Sequence, residues 1–373
     1  MGAVAQSSPS SLPAPAQRDL VVVGASAGGV QALRDLVSVL PAKLPAAVLV
    51  VLHLPAQGGS ALPAILSRAG ALPARAAQDG ESIQRGRIYV APPDFHLAVV
   101  GGKLALTRGP RENGHRPAVD VLFRTAAQSM GPRVIGVVLS GALDDGTSGM
   151  LAIAARGGVT VAQDLHEALY PAMPRSVVDH VAPDHVLSAG AIGSLLAQRC
   201  RETVDISAVP SVRSQLRLES AMAEMDRGTV TSEGPTGGPS GLTCPDCAGT
   251  LYEMEAGDLL RFRCRVGHAW SAESLAVEQG LAFESALWMA MRSLEEKAAL
   301  GRQLAETARG RGTTLSAERF HVMSEEAAGA AGLIHDLLSR VDIRLLGTPT
   351  GEPPPAKHTC SNAGDGSPET AAE

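Results

Sequence analysis

The chain is poor in aromatic residues, in cysteine and in long apolar runs, and each shortage excludes a class of protein. Only 3% of its 373 residues are aromatic, and its five cysteines are an odd set that does not fit a secreted disulfide framework. The longest apolar run, around 46–54, contains His53 and falls far short of the ~20 residues that span a bilayer. The first 17 residues lack the basic and apolar blocks of a secretory signal. We therefore expect a cytoplasmic protein with no membrane insertion.

Positive charge is also scarce. Lys and Arg number 32 against 38 Asp and Glu, which gives a formal net charge of −6. Nucleic-acid and anionic-membrane binders carry clustered basic residues instead. We expect a protein or small-molecule partner and no nucleic acid.

Short β-branched runs alternate with helical patterns over 19–204, which is typical of an α/β domain. The pattern predicts a mainly parallel sheet with helices on both faces and an antiparallel edge piece at the Gly-Gly turn of HLAVVGGKLALT. Composition then divides the rest of the chain. The predicted units are a disordered tail (1–18), the α/β domain (19–204), a flexible linker (205–240), a zinc-ribbon-like segment (241–273), an α-helical hairpin (274–345) and a second disordered tail (346–373).

Ser26 lies in GASAGG at 24–29, between a predicted buried strand and a helix. Such a turn lifts a hydroxyl to the carboxyl edge of the sheet, beside free helix N–H groups that can stabilise an oxyanion. The alternative is a helix N-cap, a role that serine commonly fills. A dinucleotide fold would need glycine where Ser26 stands and an acidic residue after the next strand, and an α/β-hydrolase would place its histidine last.

His53 ends the second predicted strand, and Asp144 and Asp145 follow a third, in LSGALDDG. A structural role is the usual one for a lone histidine, and acidic residues in such loops often cap the next helix. However, Ser, His and Asp side chains at one sheet edge have the arrangement that a catalytic triad needs.

Six motifs make the sequence similar to the catalytic domain of the CheB family, the chemotaxis protein-glutamate methylesterases. They are GASAGG (24–29), LHLP (52–55), YVAPPDFHL (89–97), HRPAVDVLF (115–123), LSGALDDGTSGM (139–150) and AMPRSV (172–177).

The resemblance implies that Ser26 is the nucleophile, His53 the general base and Asp145 the residue that orients the histidine. The implied activity is hydrolysis of glutamyl methyl esters on a methylated chemoreceptor or related signalling protein, without a cofactor, with glutamine deamidation as a second activity. The chain departs from the family at Ala27, commonly threonine, and at Ala142-Leu143, commonly Met-Gly. Eighteen residues before the first strand leave no room for the family's phospho-receiver domain, so we expect no regulation by phosphorylation of an own receiver.

Two further residues of the fourth motif, His115 and Arg116, invite a functional interpretation. They are candidates to contact receptor carboxylates, although a structural salt bridge explains them equally well. We assign no substrate-binding residue.

Cys244, Cys247, Cys264 and His268 have a CxxC plus CxxxH spacing that suits a closed structural zinc site. A redox CxxC or unrelated thiols are the alternatives, and Cys200 and Cys360 are left as free thiols. Because a flexible linker is predicted, we expect cleavage of a small ester to survive metal loss. The helical hairpin is expected to bind a partner.

The sequence leaves three candidate functions open. The main hypothesis is an ester hydrolase. The second is a catalytically weak receptor-binding scaffold that acts through its carboxyl-terminal helices, and the third is a nicotinamide oxidoreductase. Methanol release from a methylated receptor separates the first two.

Overall fold

A computed structural model describes residues 16–206, 214–223, 237–256 and 258–340. Its centre is a seven-stranded sheet in which all neighbouring strands are parallel. In spatial order the strands are β10 (His185–Leu187), β9 (Val159–Gln163), β8 (Val134–Val138), β2 (Leu20–Ala25), β3 (Ala47–Leu52), β5 (Ile88–Val90) and β4 (Ala74–Ala76).

Helices cover both faces of this sheet because its central strands are apolar on both sides. Val21 and Val23 of β2 point to one face, and Leu20 and Val22 point to the other, as the two-residue strand period requires. One face packs against α1 (Gly29–Ser38), α2 (Leu62–Ala69) and α6 (Ala189–Arg199), and the other against α3 (Val119–Met130), α4 (Thr147–Ala155) and α5 (Ala172–Val181). The predicted fold class is confirmed.

Two small antiparallel sheets accompany the large one. The hairpin of β6 (His96–Val100) and β7 (Lys103–Thr107) forms a sheet of its own, so its prediction as an edge of the main sheet is wrong. β1 (Ala16–Gln17) pairs with β11 (Thr203–Val204). These backbone hydrogen bonds order the end of the predicted tail 1–18, whose first 15 residues lie outside the described part of the chain.

The predicted linker 205–240 contains a packed helix, α7 (Ser214–Ala223). Leu218 and Met222, four residues apart, are buried, and the Thr107 hydroxyl donates a hydrogen bond to the carbonyl of Ala223. This apolar helical spacing was missed among the surrounding polar residues. Residues 207–213 and 224–236 of the predicted linker lie outside the described ranges.

The Cys/His segment forms a four-stranded antiparallel sheet, here called the ribbon, with residues 239–271. Leu251, Phe262 and Trp270 form its small core together with Leu275 of the following helix. The strands are β12 (Pro239–Thr243), β13 (Thr250–Ala256), β14 (Leu259–Cys264) and β15 (Ala269–Ser271).

Two long helices follow directly, α8 (Ala272–Gly310) and α9 (Thr314–Arg340). Small residues let the two backbones approach: a Cβ at Gly301 would lie 3.0 Å from the carbonyl oxygen of Phe320, and the Ser324 hydroxyl donates to the Ala298 carbonyl. The two helices pack as a hairpin over 272–340, whereas the prediction placed a hairpin at 274–345, of which 341–345 are not described. The tail predicted for 346–373 also lies outside the described residues. No helix in the described ranges is long and apolar enough to cross a membrane.

Candidate active site

Ser26 follows the last residue of β2, and two residues separate it from the start of α1. The turn between them needs glycine at position 28, where φ is 72° and a Cβ would lie 2.6 Å from the Ser140 hydroxyl oxygen. The Ser26 N–H donates to the Ser140 carbonyl at 3.0 Å. The nucleophile candidate is therefore held at the carboxyl edge of the sheet by the neighbouring strand end.

His53 reaches the same edge because β2 and β3 pair in register. Ala25 lies opposite Leu52, and the His53 N–H continues the ladder to the Ala25 carbonyl at 3.1 Å. Ser26 and His53 are thus the first residues after the ends of two paired, parallel strands. This placement brings the hydroxyl and the imidazole to one level of the sheet edge.

Asp145 binds His53 through its Oδ2, 2.7 Å from His53 Nε2. The same carboxylate accepts the N–H groups of Val119 and Asp120 at the start of α3, at 2.7 and 3.1 Å. Burial alone would raise the pKa of Asp145, but the His53 hydrogen bond, nearby imidazole charge and the Val119 N–H hold that pKa well below its usual range. The Asp145 side chain is therefore a carboxylate aimed at one imidazole nitrogen.

The other imidazole nitrogen of His53, Nδ1, differs from Nε2 in its surroundings. His53 Nδ1 is buried and has no hydrogen-bond partner among the described residues. If Nε2 carries the proton that Asp145 accepts, Nδ1 keeps a lone pair. Buried polar atoms without partners are uncommon, and a catalytic role is one of the explanations for them. Nδ1 is thus the atom of His53 that is free to accept a proton.

Two further carboxylates lie beside Asp145. Asp144 accepts hydrogen bonds from the hydroxyls of Ser271 and Ser274, at 2.7 and 3.1 Å. Asp120 accepts the N–H groups of Gly146 and Gly149, which orders the loop after β8. Burial, and then the Asp145 charge, raise the pKa of Asp120 to about 7. Of the three, Asp145 is the one placed against His53.

His115 stacks on His53 with ring centroids 3.7 Å apart. Burial, and secondarily His53, lower the pKa of His115 to about 4, so this ring is neutral near pH 7. Arg116 instead forms an ion pair with Asp94 at 2.6 Å. Arg116 thus forms a salt bridge within the fold, whereas the His115 ring packs against the ring of His53, the proposed general base.

Sequence reasoning missed Asn113. Its side chain is 4% exposed, and its Nδ2 donates to Asp145 Oδ1 at 3.1 Å. No motif suggested a role, because the contact joins residues 32 positions apart. The only local signal is a left-handed backbone, φ 51°, which asparagine tolerates better than most residues.

The four predicted metal ligands come together at one end of the ribbon, with their ligand atoms all within 4.8 Å of one another. Cys247 Sγ lies 3.6 Å from Cys264 Sγ, and His268 Nδ1 lies 3.5 and 3.7 Å from the sulfurs of Cys264 and Cys244. Tetrahedral zinc bonds place two sulfurs about 3.8 Å apart, and a sulfur and a nitrogen about 3.5 Å apart. The donor set and its spacing therefore fit zinc.

Comparisons with known proteins extend the resemblance. The family model described as CheB methylesterase matches residues 21–196. The "Protein-glutamate methylesterase/protein-glutamine glutaminase 2" of Methanosarcina mazei is 38% identical over 178 residues, which are 46% of this chain and 48% of that protein. This chain therefore spans about half the length of that relative, and the same holds for a Symbiobacterium thermophilum relative at 38% identity and 51% coverage.

Two further matches are covered by this chain over almost their full length. A Leptospira interrogans protein, whose name also contains "protein-glutamate methylesterase/protein-glutamine glutaminase", is 35% identical over 178 residues, which are 48% of this chain and 92% of that protein. The crystal structure of the Thermotoga maritima CheB methylesterase catalytic domain has 34% identity and a TM-score of 0.47, over 48% of this chain and 97% of that one. With identity above 30% over nearly the full length of the Leptospira relative, the chain belongs to the CheB methylesterase family.

Proposed function

We propose that this protein is a protein-glutamate methylesterase that uses Ser26, His53 and Asp145 as a catalytic triad. The observation that carries the proposal is the His53 Nε2–Asp145 Oδ2 hydrogen bond of 2.7 Å at the strand edge that also holds Ser26. The names of the relatives supply the substrate class, glutamyl methyl esters of a protein, with glutaminyl side chains as a second substrate. Methylated chemoreceptors or related signalling proteins are the proposed partners, and the cytoplasm is the proposed location.

The first half of the reaction forms an acyl-enzyme. Ser26 Oγ attacks the ester carbonyl carbon while His53 Nδ1 takes the hydroxyl proton, and the resulting imidazolium is stabilised by the Asp145 carboxylate. The N-terminus of α1, which starts at Gly29, directs its dipole towards the developing oxyanion. His53 then returns the proton to the leaving oxygen, and methanol departs.

The second half restores the enzyme. His53 Nδ1 takes a proton from a water molecule that attacks the glutamyl carbonyl, and gives it to Ser26 Oγ as the acyl bond breaks. The product is a free glutamyl carboxylate. With a glutaminyl side chain the same steps release ammonia instead of methanol. His115, neutral and stacked, lets the His53 ring become cationic without facing a second positive charge.

Methanol release from a methylated receptor tests this function. Ser26→Ala and His53→Ala should each lower kcat roughly 10⁴- to 10⁶-fold, since triad members act as a unit. Asp145→Asn should cost about 10⁴-fold by favouring the wrong imidazole tautomer, whereas the matched variant Asp144→Asn should remain within a few-fold of wild type. Retention of a tenth of wild-type activity by Ser26→Ala, or greater sensitivity of Asp144 than of Asp145, contradicts the assignment. A wild-type protein that binds receptor but releases no methanol would favour the scaffold function.

The ribbon is proposed to hold one structural zinc through Cys244, Cys247, Cys264 and His268. Bound zinc would link β14 to the CxxC turn and supply folding energy to a segment with a small core. Asp246 lies 3.8 Å from the other His268 nitrogen and would orient that ligand. Purified protein should contain about one equivalent of zinc, and Cys247→Ser should lose it. Retention of full zinc by Cys247→Ser would contradict the site.

A further inference from the structure

The ribbon lies against the catalytic domain at the segment that leads into α3. The Asn113 N–H donates to the Ala269 carbonyl at 2.8 Å, and the Ala269 N–H donates to the Arg111 carbonyl at 3.3 Å. The first residue of β15 thus forms a parallel bridge with Glu112. Backbone pairing of this kind fixes the ribbon and residues 111–113 relative to each other.

Buried charges join the same two surfaces. Arg263 of the ribbon binds Glu112 at 3.1 Å, and Arg261 binds Glu219 of α7 at 2.6 Å. All four side chains are at most 4% exposed. Charges buried this deeply are stable only while their partners remain in place. The ribbon is therefore a docked part of the fold, contrary to the expectation of a separate unit on a flexible linker.

Asn113 connects this contact to the proposed active site through a single side chain. Its Oδ1 accepts the Ser271 N–H of the ribbon at 2.9 Å. Its Nδ2 donates to Asp145 Oδ1 at 3.1 Å, and also to Asp120 at 3.3 Å. Asp145 in turn holds His53 through its other oxygen. One amide thus touches the ribbon on one side and the proposed triad on the other.

The proposed metal site is adjacent to this link in sequence. His268 immediately precedes Ala269, and Cys264 is the last residue of β14. A metal held by these ligands therefore fixes both ends of the loop that places Ala269 and Ser271. Without it, their positions depend on the short strand pairing of β14 and β15 and on the hydrogen bonds that cross to the catalytic domain.

We infer that the metal-held ribbon is a positioning element of the esterase site, acting through Asn113 on Asp145. The inference rests on the proposed function, since Asn113 is argued to act through Asp145 of the proposed triad. It reverses the expectation that ester cleavage is independent of the metal. Loss of a hydrogen-bond partner that orients a metal ligand typically costs 10- to 100-fold in activity, and we expect an effect of that size for the Asn113 contact to Asp145.

Asn113→Gly tests the link in the full-length, zinc-loaded protein. Glycine keeps the left-handed backbone at position 113 but removes all three side-chain hydrogen bonds. With a small methyl ester, kcat should fall about 10- to 100-fold while KM stays unchanged. Zinc content and protease resistance of 239–271 should match wild type, which separates lost positioning from lost folding. Unchanged kcat with zinc retained overturns the inference.

Chelation completes a double-perturbation cycle. Removal of zinc with phenanthroline should lower kcat in wild type, and by a clearly smaller factor in Asn113→Gly, because the link is already cut there. Readdition of zinc should restore wild type. Equal factors in the two proteins, or no effect in wild type, would show that the ribbon does not act through Asn113.

A readout independent of turnover is the downfield proton NMR resonance of the His53–Asp145 hydrogen bond, assigned by its absence in His53→Ala. Both Asn113→Gly and chelation should shift or broaden this resonance, and an unmoved resonance overturns the inference. If Ser26→Ala keeps wild-type activity while the resonance responds, the proposed function fails and the positioning link stands.

Discussion

The buried carboxyl of Asp144 makes protein stability depend on pH at the contact between the catalytic domain and the ribbon. Its side chain accepts the Ser271 and Ser274 hydroxyls and is 4% exposed. Burial, with a contribution from the Glu273 charge, raises the pKa of Asp144 from 3.8 to about 6, although the two hydroxyls oppose the rise. A raised carboxyl pKa means that the folded protein binds the proton more tightly than the unfolded chain does. The stabilisation is complete below about pH 3.8 and is lost as pH rises through about 6.

The size of this effect follows from the shift. Two pKa units at 1.36 kcal/mol each correspond to about 3 kcal/mol between the acidic and neutral limits. Asp144→Asn keeps an oxygen acceptor for both serines but has no charge to desolvate. At pH 8 the free energy of unfolding should therefore exceed that of wild type by up to about 3 kcal/mol, and near pH 4 the difference should vanish.

Denaturant unfolding of full-length protein at pH 4, 6 and 8 measures the difference directly. Asp35→Asn is a matched control, because the Asp35 carboxylate is exposed on α1 and loses little water on folding. A gain for Asp144→Asn that is the same at all three pH values, or a loss at pH 8, would refute the reasoning. Ester hydrolysis should change little, since Asp145 and not Asp144 binds His53.

Three further outcomes are expected. Leu143 has a left-handed backbone, with φ 59°, which glycine adopts without strain. In denaturant unfolding, Leu143→Gly should therefore be about 1 kcal/mol more stable than Leu143→Ala, and equal stability would contradict the left-handed backbone. Arg261→Met should cost about 3 kcal/mol by leaving Glu219 buried without its closest partner, and a neutral result would show that the buried ion pairs are dispensable. Cys200 is fully buried, which raises the pKa of its thiol to about 12, so peptide mapping should find it alkylated by iodoacetamide only after unfolding.

The local pattern of apolar and polar residues was sufficient to predict the α/β architecture. The strand predicted at LVVVGA coincides with β2, because six consecutive apolar or small residues bounded by a Gly-rich turn are typical of a strand buried on both faces. The edge shared by Ser26, His53 and Asp145 also followed from sequence, since the carboxyl ends of parallel strands meet on one side of a sheet. The CxxC and CxxxH spacing likewise predicted which four side chains come together, because each pair is closed by a short turn.

Only the tertiary structure decided how these parts interact. Which nitrogen of His53 faces Asp145 depends on packing across 92 residues of chain, and the Asn113–Ser271 bond joins positions 158 apart. Arg261 and Arg263 gave no sign in sequence of being buried, because alternation along a strand predicts which side chains share a face, but not what covers it. α7 was not predicted for the same reason, because its apolar positions are few and their burial depends on α3 and β7. Local periodicity thus determined the elements and their ends, whereas the contacts between distant segments are set by side-chain packing that exists only once the chain has folded.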